Sequence, residues 1–160
     1  MKRIFAVFIS LLLVASFGGC GSSGRVYGDL RMDVPSEFFD MSDAEFAKDA
    51  DFLLGRDTLI VKGMAEKKSD LKTMTLAEYT DLLIFGNELE TVRTLGANGY
   101  RFAYQKMVGE RSYTYFSATF ESKGNFWSVQ CYCPSEDFAK HQSAMEEMLN
   151  SVTTDLPFTG

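Results

Sequence analysis

The stretch that decides the fold is GYRFAYQKMVGERSYTYFSATFESKGNFWSVQCYC, residues 99–133. Three segments in it, 99–108, 111–121 and 125–133, are rich in the aromatic and β-branched residues that favour strands. Gly109-Glu110 and Lys123-Gly124 lie between them as two-residue loops, and each loop contains a glycine, which supplies the positive φ that tight hairpin turns require. The stretch therefore predicts an antiparallel three-stranded meander.

The loop lengths also predict the register of the meander, because two-residue loops place Val108 opposite Arg111 and Ser122 opposite Asn125. One face of the sheet then carries a row of three aligned tyrosines, with further aromatic and polar side chains beside it. We call this surface the tyrosine face, and its residues are Tyr100, Phe102, Tyr104, Tyr115, Gln130 and Tyr132. We call Tyr104, Tyr115 and Tyr132 the tyrosine row.

The two faces of this meander differ in composition. The opposite face pairs Phe120 with Trp127, aligns Ala118 with Val129, and aligns Ala103, Phe116 and Cys131, which is the composition of a closed core. The tyrosine face mixes aromatic rings with hydroxyl and amide groups. It is either a second packing layer covered by a helix or a face that binds a partner or ligand.

The chain before the meander predicts further strands. Residues 27–34 alternate apolar and charged side chains and form a first strand that Pro35 closes. Residues 37–51 carry six acidic side chains without the spacing of a calcium-binding loop, and predict a solvated loop or edge. A hairpin over 51–54 and 58–67, turning near Gly55-Arg56, places a central strand at 58–67.

Two helices flank the meander in sequence. Thr75 and Glu78 form a capping box that begins the first helix, and Gly86 or Asn87 ends it. The second helix follows Pro134 and has an apolar stripe at helical spacing. The stripe consists of Phe138, His141, Met145, Met148, Leu149 and Val152. Residues 155–160 are expected to be a frayed tail.

The N-terminus predicts export and lipid attachment. Two basic residues precede an apolar run and a small-residue stretch over residues 1–19, which is the layout of a secretory signal peptide. Phe17-Gly18-Gly19-Cys20 resembles a bacterial lipobox, in which Cys20 is lipidated. A Gly/Ser-rich flexible tether is expected over residues 20–26. The predicted location is the bacterial cell membrane: the outer face of the cytoplasmic membrane, or the outer membrane if there is one.

The net charge and the length of the chain bear on its binding partners and on its number of domains. The chain has a net charge of −6, and removal of residues 1–19 would leave about −8. An acidic balance argues against nucleic acid and against electrostatic docking on anionic lipid. Residues 27–154 are enough for a single domain with a sizeable core.

Little in the sequence points to catalysis. His141 is the only histidine and could approach Cys131 or Cys133, as a nucleophile and base, as part of a soft-metal site, or as a structural residue without chemistry. The structural interpretation is favoured, because no orienting acid or oxyanion-forming turn is evident. We therefore predict no catalytic residues, no metal and no cofactor. A disulfide between the two cysteines and two buried free thiols both remain open.

The complete pattern resembles the Mog1/PsbP-like family. The resemblance rests on the LRMDVPSEF strand at 30–38, the TLAEYTDLL helix at 75–83 and the block GNFWSVQCYCPSEDFAKHQSAMEEMLNSV at 124–152. It implies an α+β fold in which an antiparallel sheet of about six strands is flanked by helices, in the order β-β-β-α-β-β-β-α.

The same resemblance implies a non-enzymatic function, since its members are mostly binding, chaperone or accessory proteins and several are bacterial lipoproteins. We expect a lipid-anchored accessory or binding domain that acts on a protein partner of the cell envelope. The alternative is a lipoprotein that binds a small solute. A Cys/His enzyme or metal protein is a third interpretation.

Overall fold

The computed structural model describes residues 22–44 and 47–159. The predicted signal peptide and the lipidation site Cys20 lie outside these residues. The helices are α1 (Leu76–Gly86) and α2 (Phe138–Asn150), and short 3₁₀ turns lie at Lys68–Asp70 and Ser135–Asp137. The strands are β1 (Ser22–Tyr27), β2 (Leu30–Pro35), β3 (Phe39–Asp40), β4 (Phe52–Arg56), β5 (Leu59–Lys67), β6 (Thr94–Leu95), β7 (Tyr100–Val108), β8 (Arg111–Glu121), β9 (Asn125–Pro134) and β10 (Thr153–Thr154).

The strands form two antiparallel sheets. The main sheet has the order β3-β4-β5-β9-β8-β7-β6, and a smaller sheet has the order β1-β2-β10. The predicted α+β architecture is confirmed, and the meander is β7, β8 and β9. Strand β5 lies inside the main sheet, between β4 and β9, as predicted for a central strand.

The predicted register of the meander is confirmed. Val108 lies opposite Arg111, and Ser122 bonds to Asn125 across the second turn through its backbone N–H at 2.9 Å. Gly109 has the expected positive φ of 63°. The second turn instead relies on the Ser122 hydroxyl, which donates to the carbonyl of Asn125, and Gly124 needs no left-handed conformation.

The hydrophobic core lies between one face of the main sheet, helix α2 and the small sheet. Strand β2 buries every second side chain, and since alternate side chains of a strand lie on one face, the buried ones all face the core. From α2, the apolar stripe contributes Met145, Met148 and Leu149, all at most 1% exposed. They pack with the meander residues predicted to form the closed face, among them Phe120, Trp127, Ala118, Val129 and Cys131.

Helix α1 packs on the opposite face of the main sheet. The Thr75–Glu78 capping box is present in both directions, and Asn87 follows the last helical residue, so both predicted ends are confirmed. Tyr79 stacks on Phe126 of β9 at 4.9 Å between ring centroids. Thr80 is fully buried and shares a hydroxyl hydrogen bond of 2.6 Å with Thr119 of β8.

Three local predictions are corrected by the structure. From Ser22 onward the expected flexible tether is strand β1, because each of its residues pairs with β2. The tail after residue 154 is not wholly frayed, since the Phe158 ring packs edge-on against Tyr100 at 5.8 Å. The hairpin between β4 and β5 turns at Asp57, which has a φ of 52°, and not at Gly55-Arg56.

The sheets also contain more strands than the six or so predicted. The additional strands β1, β3, β6 and β10 are short or exposed at sheet edges, so their sequences lack a buried apolar alternation. Over residues 22–44 and 47–159, neither helix has the length and apolar character needed to span a membrane.

Candidate binding face and the central groove

The tyrosine row forms a stack of rings across three strands. The Tyr104 and Tyr115 centroids are 4.7 Å apart with planes inclined by 3°, and Tyr115 and Tyr132 are 4.9 Å apart at 21°. Phe102 continues the stack at 6.2 Å from Tyr104. Aromatic neighbours at these distances attract each other beyond the effect of buried area alone. The row is therefore a rigid and largely pre-arranged surface.

Helix α1 covers only part of the tyrosine face. Its side chains lie over the end of the sheet that contains Thr119 and Phe126, while the three rings of the tyrosine row stay half-buried. Both interpretations of this face thus apply, each to a different part of it. One end is a packing layer, and the end with the tyrosine row is open.

The open end adjoins a concave depression of about 380 Å³, which we call the central groove. Its floor comes from four neighbouring strands, its walls from the end of α1 and the turn after it, and its rim includes one residue of the acidic segment. The lining residues are Asp49, Lys62, Met64, Leu83, Asn87, Leu89, Phe102, Tyr104, Lys106, Tyr115 and Gln130. This volume is within the usual range for small-ligand sites.

The six predicted residues of the tyrosine face take different positions. Four of them line the central groove, namely Phe102, Tyr104, Tyr115 and Gln130. Tyr132 continues the tyrosine row beyond the groove. Tyr100 is on the same side of the sheet, but its ring lies between Phe158 and the Arg93 guanidinium, which is 4.7 Å from the ring centroid. Tyr100 therefore stabilises the covered end.

Sequence reasoning missed the contribution of β5 to this site. The register places Lys62 opposite Gln130 and Met64 opposite Ser128, so both point to the same side as the tyrosine row. Ile60 and Met64 share one side of this strand, and Lys62 falls between them at the period of a strand. A lysine between two apolar side chains on one side of a predicted central strand was the available signal.

The tyrosine hydroxyls are protonated donors at neutral pH. Burial raises the pKa of Tyr104 and that of Tyr132 to about 12, and it also raises the pKa of Tyr115. With the Lys62 ammonium and the Gln130 amide, the Tyr104 and Tyr115 hydroxyls make the floor of the central groove rich in hydrogen-bond donors.

The cysteine and histidine side chains lie on the other side of the main sheet, in the core. Cys131 and Cys133 are free thiols with no exposed surface. Burial raises the pKa of Cys131 to about 12 and also raises that of Cys133, so neither forms a reactive thiolate at neutral pH. Within residues 22–44 and 47–159, no three His, Cys, Asp or Glu side chains are grouped closely enough to hold a metal ion.

His141 is part of a buried polar chain that joins α2 to the β4–β5 turn. The Thr58 hydroxyl donates to Asp137 Oδ2 at 2.7 Å, and its oxygen lies 3.1 Å from His141 Nε2. The Thr58 hydroxyl has only one proton, which it donates to Asp137, so the Nε2–H of His141 donates to the Thr58 oxygen. The other ring nitrogen, Nδ1, is buried and has no partner in the part of the chain that the structure describes. These contacts support a structural role.

Because of His141, we expect the folded domain to lose stability in mild acid. Burial, with the positive charges of Lys140 and Arg56, lowers the pKa of His141 against the opposing effects of Asp137 and Asp57. The unfolded chain then binds a proton near pH 6.5 that the folded chain does not bind. Stability is therefore complete above about pH 7 and decreases as the pH falls below 6.5.

Urea denaturation from pH 8 to pH 5, for the wild type and for His141→Gln, measures this effect. The variant keeps a hydrogen-bonding group towards Thr58 but does not titrate, so we expect its stability to change less between pH 7.5 and 5.5. Equal slopes in the two proteins would show that His141 is not the titrating group.

Comparisons with known proteins identify the fold. No protein-family model matches the sequence, and no curated protein matches it either. Among solved structures, cyanobacterial PsbP (CyanoP) from Synechocystis has a TM-score of 0.56 at 11% identity, covering 88% of this chain and 98% of its own. LpqN of Mycobacterium tuberculosis, described as involved in cell envelope biogenesis, has a TM-score of 0.50 at 12% identity, covering 85% and 86%.

A crystal structure from Bacteroides thetaiotaomicron gives a TM-score of 0.55 at 17% identity. The match covers 84% of this chain but 48% of the other, so this chain spans about half the length of that protein. Identities this low carry information about the fold alone. The resemblance inferred from the sequence is confirmed at that level: the chain is an α+β domain with the PsbP/Mog1-like fold.

Proposed function

We propose that this protein is an exported, lipid-anchored domain that holds a protein partner at the cell envelope and acts without catalysis. The observation that carries the proposal is the tyrosine row, three stacked rings that α1 leaves open beside a groove. Half-buried tyrosines combine a large apolar area with a polar tip, and they are enriched at protein interfaces for that reason. The lipobox resemblance at Cys20 supplies the anchor.

The edge of the main sheet beside the tyrosine row supports a protein partner. Strand β6 pairs only with Tyr100 and Arg101, and no other described strand pairs with the outer edge of β7 from Phe102 to Val108. Met107 and Val108 are 60% and 53% exposed on this edge. Exposed apolar side chains next to unpaired backbone groups are a common site of protein association.

Partner capture in the native envelope tests the proposal. The lipidated protein is crosslinked in cells and recovered, beside a variant in which Tyr104, Tyr115 and Tyr132 are all replaced by Phe. A matched control is Tyr27→Phe, a half-buried tyrosine that stacks on Phe52 in another part of the fold. We expect a stoichiometric partner with the wild type and the control, and at least tenfold less with the triple variant, or about 1.4 kcal/mol.

Equal capture by all three proteins would remove the tyrosine row from the interface. A Cys20→Ala protein tests the anchor separately, because it is expected to lose the membrane fraction while the purified domain stays folded. A folded Cys20→Ala protein that remains in the membrane fraction would contradict lipid anchoring through Cys20.

The central groove favours a second candidate function, the binding of a small solute. A concave site of about 380 Å³ with apolar walls and converging donors has the features of a ligand pocket. Native mass spectrometry of protein released gently from the membrane tests this candidate. A retained small molecule supports solute binding, and a protein that always appears at its bare mass argues against it.

A further inference from the structure

Lys62 lies in the floor of the central groove, and none of the ion pairs among the described residues involves it. Its side chain is half-buried between Leu53 and Gln130, its neighbours across β4 and β9. Among the residues that the structure describes, no carboxylate lies within ion-pair distance of Lys62. A partly buried ammonium loses hydration, and this loss is offset only when an anion or hydrogen-bond acceptor approaches it.

Another half-buried lysine of this chain is paired with a carboxylate, which is the usual arrangement for a partly buried ammonium group. Lys68, whose side chain is 28% exposed, forms an ion pair of 2.5 Å with Glu121. In a chain with 22 acidic residues, a carboxylate could readily lie opposite Lys62 as well. The groove that Lys62 lines instead contains the Gln130 amide and the Tyr104 and Tyr115 hydroxyls, which can also donate hydrogen bonds.

Apolar groups line both the floor and the walls of the central groove. In the floor, the rings of Phe102, Tyr104 and Tyr115 stack on one another and present their edges to the groove. Met64, Leu83 and Leu89 add aliphatic contacts from β5, from α1 and from the turn after it. Aromatic ring edges pack favourably against the face of another ring, so this lining fits a planar apolar body better than a strongly hydrated molecule.

The other charges of the groove lie at its rim. Asp49 and Lys106 are both exposed to solvent, and they are of opposite sign. Solvent screens exposed charges much more than a half-buried one, so Lys62 has the largest effect on a ligand inside the groove. A cationic ligand would be repelled by it.

From this arrangement we propose that the central groove binds a small organic anion with a flat apolar body, whose carboxylate, sulfonate or phosphate group pairs with Lys62. This inference rests on the solute-binding candidate described above and names its ligand class. The apolar body lies against the ring edges of Phe102, Tyr104 and Tyr115, and the anionic group accepts hydrogen bonds from the donors of the floor.

Two fluorescent probes with related ring systems test the inference on the purified protein. The first is 8-anilinonaphthalene-1-sulfonate, which is anionic, and the second is N-phenyl-1-naphthylamine, which is uncharged. Lys62→Met removes the ammonium and keeps most of the aliphatic stem. Lys67→Met is the matched control, because Lys67 is an exposed lysine of the same strand and does not line the groove.

The sulfonate probe is expected to bind Lys62→Met at least tenfold more weakly than the wild type, and to bind Lys67→Met with wild-type affinity. The uncharged probe is expected to bind all three proteins alike. Thermal melting confirms that each variant is folded.

Other outcomes overturn the inference in distinguishable ways. If both probes bind and Lys62→Met leaves the sulfonate affinity unchanged, the groove binds apolar molecules but has no anion site. If neither probe binds the folded wild type, the groove is not a site for this ligand class. Neither result affects the partner-capture experiment, so the proposed function is tested separately.

Discussion

Replacing Trp127 by Ala is expected to destabilise the domain by about 3–5 kcal/mol, the usual cost of removing a large aromatic side chain from a core. Trp127 is 3% exposed and lies opposite Phe120 in the β8–β9 pair. Its indole Nε1 also donates to Asp29 Oδ1 at 2.7 Å, which joins the main sheet to the β1–β2 turn. Domains of this size have about 5–15 kcal/mol of total stability, so much of it would be lost.

Urea denaturation followed by far-ultraviolet circular dichroism measures this loss without depending on tryptophan fluorescence. Trp127→Phe is the matched variant, because it keeps an aromatic ring in the core and removes the indole donor. Asp29 then retains the hydrogen bond from Asn125 Nδ2 at 2.9 Å, and we expect a smaller loss of about 1–2 kcal/mol. An Ala variant as stable as the Phe variant would show that Trp127 does not fill a packed core.

Replacing Arg101 by Met is expected to cost about 2–4 kcal/mol, because it removes a buried charged donor from the C-terminus of α2. The Arg101 guanidinium donates to the carbonyl of Leu149 at 2.9 Å and to Asn98 Oδ1 at 2.6 Å. It also lies 5.1 Å from the centroid of the Phe120 ring. A positive charge is favourable at the last turn of a helix, where carbonyl groups lack helical partners.

Burying the charge of Arg101 has a free-energy cost. Burial lowers the pKa of Arg101 to about 10, which leaves it charged at neutral pH. Methionine avoids the cost of burying a charge but leaves the Leu149 carbonyl with only the longer hydrogen bond from Asn98 Nδ2 at 3.3 Å. We therefore expect faster amide exchange in the last turn of α2 together with the loss of global stability.

Arg111→Met is the matched control for this prediction. Arg111 is an exposed residue that forms an ion pair with Glu136 on the surface, and exposed ion pairs contribute little to stability. Urea denaturation of both variants compares the two sites directly. Similar losses at the two positions would contradict a specific role for Arg101 at the end of α2.

We expect the two faces of the main sheet to contribute to different properties, one to stability and the other to binding. The substitutions of Trp127 and Arg101 act on the face that α2 covers, where side chains are almost fully buried. The tyrosine row lies on the other face and is half-buried, so changes there are expected to cost less stability. The tyrosine variants can therefore report on binding without unfolding the domain.

The parts of the fold that were predictable from sequence are those fixed by local rules. The two-residue loops after Val108 and Ser122 determined the register of the meander, which aligned the tyrosine row correctly. The Thr75 and Glu78 capping box determined the start of α1. In each case the deciding residues lie within a few positions of one another.

What escaped prediction depends on contacts between distant residues. Strand β1 reads as a Gly/Ser tether and becomes a strand because β2 offers it a paired edge. Tyr100 looks like part of an open face until Phe158, far along the chain, packs against it. Lys62 joins the site only because β5 pairs with β9, which its own sequence does not specify.

The most direct test of the account is photocrosslinking in living cells from within the tyrosine row. The crosslinking amino acid p-benzoylphenylalanine replaces Tyr115 in the full-length protein and, in a second strain, the exposed residue Gln142 of α2, which packs on the opposite face of the main sheet. The account predicts a discrete protein adduct from position 115 and none of that size from position 142. The same adduct from both positions, or an adduct from position 142 alone, would contradict binding through the tyrosine face.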